Sequence, residues 1–235
     1  MIREVIILAG GLGTRLQKSV PDLPKSMAPV GGHPFLEYQM QYLEEWGIKK
    51  FILAVGHKHE MIRDYFGDRF KNVEIVYSIE DDPLGTGGAI MKAMQLADSG
   101  QVLVANGDTY FDVHLNRMYN FHLSRTAKIT IALHQTDDVS RYGKVVKDAE
   151  HRITGFFEKG EDSGAGYVNG GVYLINQSYL AEMEFPVRFS FEKDFLEKRY
   201  KNDEFYGMRC TAYFLDIGIP EDYERAQDDF EGLLH

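Results

Sequence analysis

The chain has 235 residues, 44% of them hydrophobic, a formal net charge of −10 and a single cysteine, Cys210. That suits one α/β domain with a full core; it excludes an internal disulfide and opposes a generic nucleic-acid partner, which wants a basic face. No apolar run is long enough to span a bilayer and the opening Met1-Ile2-Arg3-Glu4 has no signal-peptide layout, so a cytoplasmic protein without a membrane partner is expected.

Val5-Ile6-Ile7-Leu8 predicts a buried first strand. It runs into Leu8-Ala9-Gly10-Gly11-Leu12-Gly13-Thr14-Arg15-Leu16. Glycines there let backbone N–H groups approach a ligand closely and form an anion cradle. Leu8, Ala9, Gly10, Gly11, Gly13 and Thr14 are therefore candidate phosphate contacts. Arg15, and Lys25 within Pro24-Lys25-Ser26-Met27-Ala28-Pro29-Val30, add two cations at the same mouth. The combination points to a triphosphate and a second phosphorylated substrate; the plainer reading is a Gly-rich connection with solvated charges. A dinucleotide fingerprint fails, because the register from Gly11 and Gly13 ends on Leu16 instead of a small residue, and no window fits a Walker A loop.

Helical patterns at 35–46, 59–66 and 88–97 alternate with strands at 51–55, 73–77 and 102–105. Such alternation implies parallel strands with right-handed crossovers and ligands at their carboxyl ends. His57 and His59 read as a helix entry, since zinc lacks companion ligands at suitable spacing. Glu80-Asp81-Asp82-Pro83-Leu84-Gly85-Thr86-Gly87-Gly88 is a second glycine-rich loop before a helix. Pro83, Gly85, Thr86 and Gly87 are candidate nucleotide contacts there, with Gly85 and Gly87 letting a flat base lie against the backbone. A carboxylate accepts only, so Glu80 complements the paired donors of guanine; a solvated acidic turn is the alternative. Asn106-Gly107-Asp108 ends the next strand.

A helix at 115–124 and a strand at 129–134 follow, then a β-rich stretch at 144–147, 153–158 and 166–175. Helices at 178–183 and 191–200, a strand around 212–215 and a last helix from about 221 complete the pattern. Asp216 follows that last strand. Together with Asp108 it offers two strand-end carboxylates to one hard cation, a donor set that suits Mg²⁺ shared with substrate phosphates; two ordinary turn aspartates are the alternative. Arg141-Tyr142-Gly143-Lys144 either closes over a sugar phosphate or packs at the surface. Glu158 and Lys159 suit sugar hydroxyls and a phosphate, or form a surface ion pair of little energetic value. Asn169-Gly170-Gly171 inside a strand marks close approach to a ligand or a bulge. Because the net charge is the wrong sign to steer an anion, the needed cations are local: Arg15, Lys25 and Lys159. Ser190 before Phe191-Glu192 reads as an N-cap, and no G-x-S-x-G elbow supports a serine hydrolase.

Taken in order, Leu8–Leu16, Pro24–Val30, Pro83–Ala89, Asn106-Gly107-Asp108, Glu158-Lys159, Asn169-Gly170-Gly171 and Asp216–Tyr223 resemble the sugar-1-phosphate nucleotidyltransferases nearly end to end. Ser78-Ile79-Glu80, Arg141-Tyr142-Gly143 and Phe189-Ser190-Phe191-Glu192 narrow the resemblance to the heptose branch. Ile219 stands where the broad family commonly has threonine, and no acetyltransferase or β-helix extension follows. The resemblance implies a Rossmann-like three-layer fold with a mixed, mostly parallel sheet. Residues 1–112 would form mainly the nucleotide half and 113–235 mainly the sugar-phosphate half. It also implies Mg²⁺-dependent transfer of a guanylyl group from GTP to a manno-heptose 1-phosphate, in the making of GDP-heptose for bacterial surface polysaccharide. Mannose 1-phosphate with GTP, UTP with another sugar phosphate, and a non-catalytic nucleotide-sugar sensor stand as alternatives. In that scheme Arg15, Lys25 and Asp108 are catalytic. Leu8, Ala9, Gly10, Gly11, Gly13, Thr14, Arg15, Glu80, Pro83, Gly85, Thr86, Gly87, Asn106 and Gly107 hold the nucleotide. Lys25, Tyr142, Gly143, Glu158, Lys159, Asn169 and Gly170 hold the sugar phosphate, and Asp108 and Asp216 hold the metal. A homodimer is compatible with apolar residues on the outer helices.

Overall fold

In a computed structural model, residues 1–11, 20, 22–157 and 162–234 are described. The elements in chain order begin with β1 (Glu4–Leu8), the short strands β2 (Pro29–Val30) and β3 (His33–Pro34), α1 (Phe35–Glu45), β4 (Lys50–Val55) and α2 (His59–Phe66). Then come β5 (Arg69–Phe70), β6 (Val73–Ile79), α3 (Gly85–Met94), β7 (Gln101–Asn106), β8 (Thr109–Phe111) and α4 (Leu115–Ser124). The second half contains β9 (Ile129–Thr136), β10 (Val145–Lys147), β11 (Ile153–Phe156), β12 (Gly166–Asn176) and α5 (Gln177–Ala181). A π-helical turn (Phe191–Leu196), α6 (Glu197–Arg199), β13 (Phe205–Cys210), β14 (Phe214–Asp216) and α7 (Pro220–Asp229) follow.

Side chains alternate across a strand, and here the alternation divides the core. Val5 and Ile7, Phe51, Leu53 and Val55, and Leu103 and Ala105 point to one face, where Leu36, Met40 and Leu43 of α1, Ile62 of α2 and Met118 of α4 cover them. Ile6, Ile52, Ala54, Val102 and Val104 point to the other, covered by Ala89, Ile90 and Ala93 of α3 with Tyr179, Phe191 and Phe195. The result is the expected three-layer α/β/α arrangement. Its parallel centre runs β7-β1-β4-β6, with Leu8 level with both Ala54 and Asn106. Those register positions put Ala9, Gly56, Glu80 and Gly107 along one carboxyl edge, where ligands collect in open α/β sheets.

The second half extends the same sheet with reversed polarity. β12 pairs antiparallel with β7 through Val172–Asn176 and antiparallel with β9 through two stretches separated by a register shift between Asn169 and Tyr173. The Gly170-Gly171 pair therefore lies in a bulge. β13, which hydropathy alone did not single out, adds parallel to β9. α3 starts at Gly85 instead of Gly88, so the glycines form its first turn. The expected helix at 191–200 opens as a π turn, its Ser190 N-cap hydroxyl accepting from Lys193 N at 3.2 Å while Asp194 accepts from Ser190 N at 2.9 Å.

A third core cluster joins Ala28, Val30, Phe35 and Tyr38 to Leu215, Ile217, Ala226 and Phe230. It clamps α7, entered through Pro220 at its first turn, onto β2 and β14; Tyr223 and Gln227 both donate to Pro29 O, at 2.7 and 3.0 Å. No helix among the described residues is long and apolar enough to cross a membrane.

His122 ties α4 to the sheet from a fully buried position. Its Nδ1 lies 2.9 Å from Thr130 Oγ1 and its Nε2 2.8 Å from Gln101 Oε1. Gln101 Oε1 only accepts, so the ring's Nε2 donates to it. Burial pushes its pKa from 6.5 down to about 4. The unfolded ring takes its proton first as pH falls, so this contribution is whole above pH 6.5 and lost toward pH 4. Urea unfolding should show about 2 kcal/mol of stability lost between about pH 7 and 5, and His122→Gln should lose clearly less. An equal loss in the two proteins would rule His122 out as the source.

Candidate active site

The short antiparallel pairing of β8 with β14 sets Asp216 opposite Thr109, one residue beyond Asp108. Two carboxylates far apart in sequence are thereby placed side by side. Between them lies the ammonium of Lys25, 2.5 Å from Asp108 Oδ2 and 3.5 Å from Asp216 Oδ1. Lys25 sits on a single 3₁₀ turn after Pro24, closed by Met27 N to Pro24 O (2.8 Å) and Ala28 N to Lys25 O (3.1 Å). The site is partly sheltered: the side chains of Lys25, Asp216 and Asp108 are 11%, 20% and 34% exposed. Burial, then the neighbouring Asp108 charge, raises the pKa of Asp216, with Lys25 opposing both. Asp216 also accepts from Gly218 N at 2.8 Å. A side chain at 218 would fall where Lys25 Nζ lies, so glycine there is what lets the lysine in.

On the nucleotide side, Ala9 N donates to Ala54 O (2.8 Å) and Gly107 N to Leu8 O (3.0 Å), stitching the β1 exit to β4 and to the β7 exit. Gly10 faces Gly56 N and Glu80 Oε1, while a side chain at Gly11 would meet nothing among the described residues. Glu80 is half-buried; its Oε2 accepts from Leu84 N at 2.9 Å, and burial raises its pKa. Pro83 is exposed at the loop tip. Gly13, Thr14 and Arg15 lie outside the described residues, as do Glu158 and Lys159 on the sugar side.

The second glycine loop also serves the packing of its neighbours. Gly85 is at φ +73°, and a Cβ there would come within 2.5 Å of Phe189 O; at Gly87 it would enter the Phe189 ring. Gly87 N donates to Phe189 O at 3.0 Å. The space on the Cβ side of these glycines is thus taken by Phe189 of the chain's own 185–190 segment. Thr86 is engaged in the same way: its hydroxyl donates to Glu192 Oε2 (2.7 Å) and accepts from Phe191 N (2.9 Å).

On the sugar side, Tyr142 donates to Asp222 Oδ2 at 3.3 Å and meets the Phe214 ring edge-on. Burial and the Asp222 and Asp216 charges push its hydroxyl pKa far up. Gly143 turns the chain at φ +85°. Asn169 donates to Tyr173 OH (2.8 Å) and accepts from Gly171 N (3.0 Å). Gly170 lies against the Phe111 ring and Gly171 against the Asn106 side chain, so Asn106 and Asn169 come to the same place from opposite halves. Tyr173 donates in turn to Glu192 Oε1 at 3.2 Å. Glu192, read from sequence as a helix-start acid, thus connects Thr86 of α3 to Asn169 of β12. Gln39 was missed too: it is a polar residue among the buried Leu36, Met40 and Leu43 of α1, and its amide donates to Asn106 O and Thr109 O. A lone amide on an apolar helix face was the available signal.

Asp108 and Asp216 fit a divalent cation by their chemistry: two oxygen donors, partly desolvated, already drawn around one positive charge. Among the described residues no third His, Cys, Asp or Glu joins them, which matches a Mg²⁺ that completes its shell with phosphates and water.

An α/β/α sheet with paired carboxylates and a lysine at its carboxyl edge is the layout of a nucleotide-handling transferase. The sequence profile of the Nucleotidyl transferase family matches residues 4–232, and the chain belongs to that family. It is 47% identical, over 98% of its length and 100% of the relative's, to D-glycero-alpha-D-manno-heptose 1-phosphate guanylyltransferase of Aneurinibacillus thermoaerophilus. It is 43% identical, over 94% of its length and 96% of the relative's, to the protein of the same name from Campylobacter jejuni. The crystal structure of HddC from Yersinia pseudotuberculosis complexed with GMP-PN superposes with a TM-score of 0.88 at 38% identity, covering 97% of this chain and 100% of that one.

Lys25→Met removes the counter-charge and leaves two crowded carboxylates. In metal-free buffer it should lower stability by about 2 kcal/mol, and added Mg²⁺ should restore more of the melting temperature than it does in the wild type. Identical Mg²⁺ responses in the two proteins would show that cation and lysine do not share the site.

Proposed function

We propose that this chain transfers the guanylyl group of GTP to D-glycero-α-D-manno-heptose 1-phosphate, releasing pyrophosphate and GDP-heptose. The observation that carries the chemistry is the Lys25–Asp108–Asp216 cluster beside the β1 exit. The near full-length relatives that bear the heptose guanylyltransferase name, and the HddC complex with GMP-PN, support the choice of substrates.

A sugar 1-phosphate is largely dianionic at neutral pH, its second pKa being about 6 by analogy with phosphorylated side chains. It attacks the α-phosphorus without a general base, so no protein nucleophile is needed. The bond from the sugar phosphate oxygen to the α-phosphorus forms as the bond to pyrophosphate breaks. What the protein supplies is positioning and charge neutralisation. Asp108 and Asp216 would hold a Mg²⁺, which supplies neutralising charge at the phosphates when bound. Lys25 brings its ammonium to the same point, and Lys25 with Lys159 aligns the incoming phosphate. Arg15 answers the charge of the departing pyrophosphate. Leu8, Ala9, Gly10, Gly11, Gly13, Thr14, Asn106 and Gly107 line the nucleotide, with residues 80–87 beside them. Glu80, whose Oε1 faces Gly10, accepts the paired donors of guanine. Tyr142, Gly143, Glu158, Asn169 and Gly170 line the sugar, giving residues 1–112 mainly the nucleotide and 113–235 mainly the sugar phosphate.

The test is pyrophosphate release with Mg²⁺, crossing GTP, UTP, dTTP, CTP and ATP with heptose, mannose, glucose and N-acetylated hexose 1-phosphates. Turnover confined to GTP and the manno-heptose is expected. Another productive pair keeps the mechanism and changes the substrates, whereas tight nucleotide binding with no turnover makes the protein a sensor. Asp108→Asn should reduce kcat by about 100-fold or more with the fold intact; near-normal turnover overturns its role. Glu80→Gln should reduce kcat/KM for GTP by about tenfold, with a smaller effect on UTP.

A further inference from the structure

We infer that Gln39 is a positioning residue that aims Asp108. Its Nε2 donates to Asn106 O at 2.8 Å and to Thr109 O at 2.9 Å. These two carbonyls bracket Gly107-Asp108, so one amide nitrogen ties both ends of the turn. The residue is 4% exposed. Its Oε1 is buried without a partner among the described residues, and the residue borders a small cavity lined also by Tyr42, Leu43, Leu103 and Phe111. An unpaired buried acceptor is destabilising, and a methionine would suit this face of α1 better. The amide is explained by its nitrogen, not by packing. The rest of the turn is held elsewhere: Gly107 N donates to Leu8 O (3.0 Å) and Ile217 N to Asp108 O (3.1 Å). Gln39 therefore supplies the third anchor, from a helix that contributes no group to the site itself. Groups that orient a ligating carboxylate typically change metal affinity or activity by about 10–100-fold when removed.

This inference rests on the cation role proposed for Asp108, and the experiment separates the two. Mn²⁺ affinity is measured by electron paramagnetic resonance with a non-reacting GTP analogue bound, for the wild type, Asp108→Asn, Gln39→Met and Gln39→Ala, beside thermal melting and steady-state kinetics. Gln39→Met fills the space without a donor. It should weaken Mn²⁺ binding and lower kcat, each by about tenfold, with KM for GTP within about twofold of wild type. Gln39→Ala leaves room for water that can donate to both carbonyls, so it should bind Mn²⁺ better than Gln39→Met although it melts lower. If affinity instead follows melting temperature across the two variants, or Gln39→Met binds Mn²⁺ like the wild type, Gln39 only packs and the inference is overturned. Should one variant fail to fold, unchanged affinity in the other overturns the inference equally. Unchanged affinity in Asp108→Asn means that the cation reading has failed, whatever Gln39 does.

Discussion

Two partly buried carboxylates do not stay side by side without a reason, because each raises the energy of the other's charge. Here the reason is the three-residue pairing of β8 with β14, backed by the ammonium of Lys25. The rest of the site is built around that arrangement. Gly218 is bare so that Lys25 can enter. α7, β2 and the start of α1 press β14 into place through Val30, Phe35, Tyr38, Leu215, Ala226 and Phe230. The Asn106–Thr109 turn is fixed from β1, from α1 and from Ile217. The parallel sheet supplies the edge, but the late antiparallel addition supplies the second charge.

The two halves meet through side chains as well as through the sheet. Glu192 accepts from Thr86, Ser190 and Tyr173, and Tyr173 accepts from Asn169. The first turn of α3 is thereby joined to the β12 bulge by an unbroken hydrogen-bonded chain. The glycines at 85 and 87 serve the same junction, because they admit Phe189 at close range. A loop that looks built for a ligand is in good part built for its neighbour, while its tip at 81–83 is exposed.

Much of this was legible in the sequence for definite physical reasons. Val5-Ile6-Ile7-Leu8 and Val102-Leu103-Val104-Ala105 are apolar on both faces, as strands covered on both sides must be, and their glycine and Asn-Gly exits fixed the edge where ligands gather. The Asp108–Asp216 pair was visible because both residues end β-like runs. Lys25 between them was not, since nothing local tells a lysine after Pro24 which carboxylates it will meet 83 and 191 residues away. β8 escaped notice at three residues, too short for a periodic signal, and β13 because Phe205–Cys210 mixes glycine and arginine into its apolar pattern. Glu192 and Gln39 act on groups distant in sequence, which periodicity does not encode.

The span of these contacts also bears on how the chain comes into being. Lys25 meets a partner 191 residues later, and the strand carrying that partner is anchored only once α7 has packed. Closing so long a loop is entropically slow, and structures dominated by such distant pairings form late. On the ribosome the parallel half, with its glycine edge, has the chance to assemble while Asp216 is still unmade. The nascent protein would then pass through a stage with a lysine and one aspartate facing each other and no second acid. Only when α7 docks does the pair become a triad, so the site is completed by an element made long after its first half.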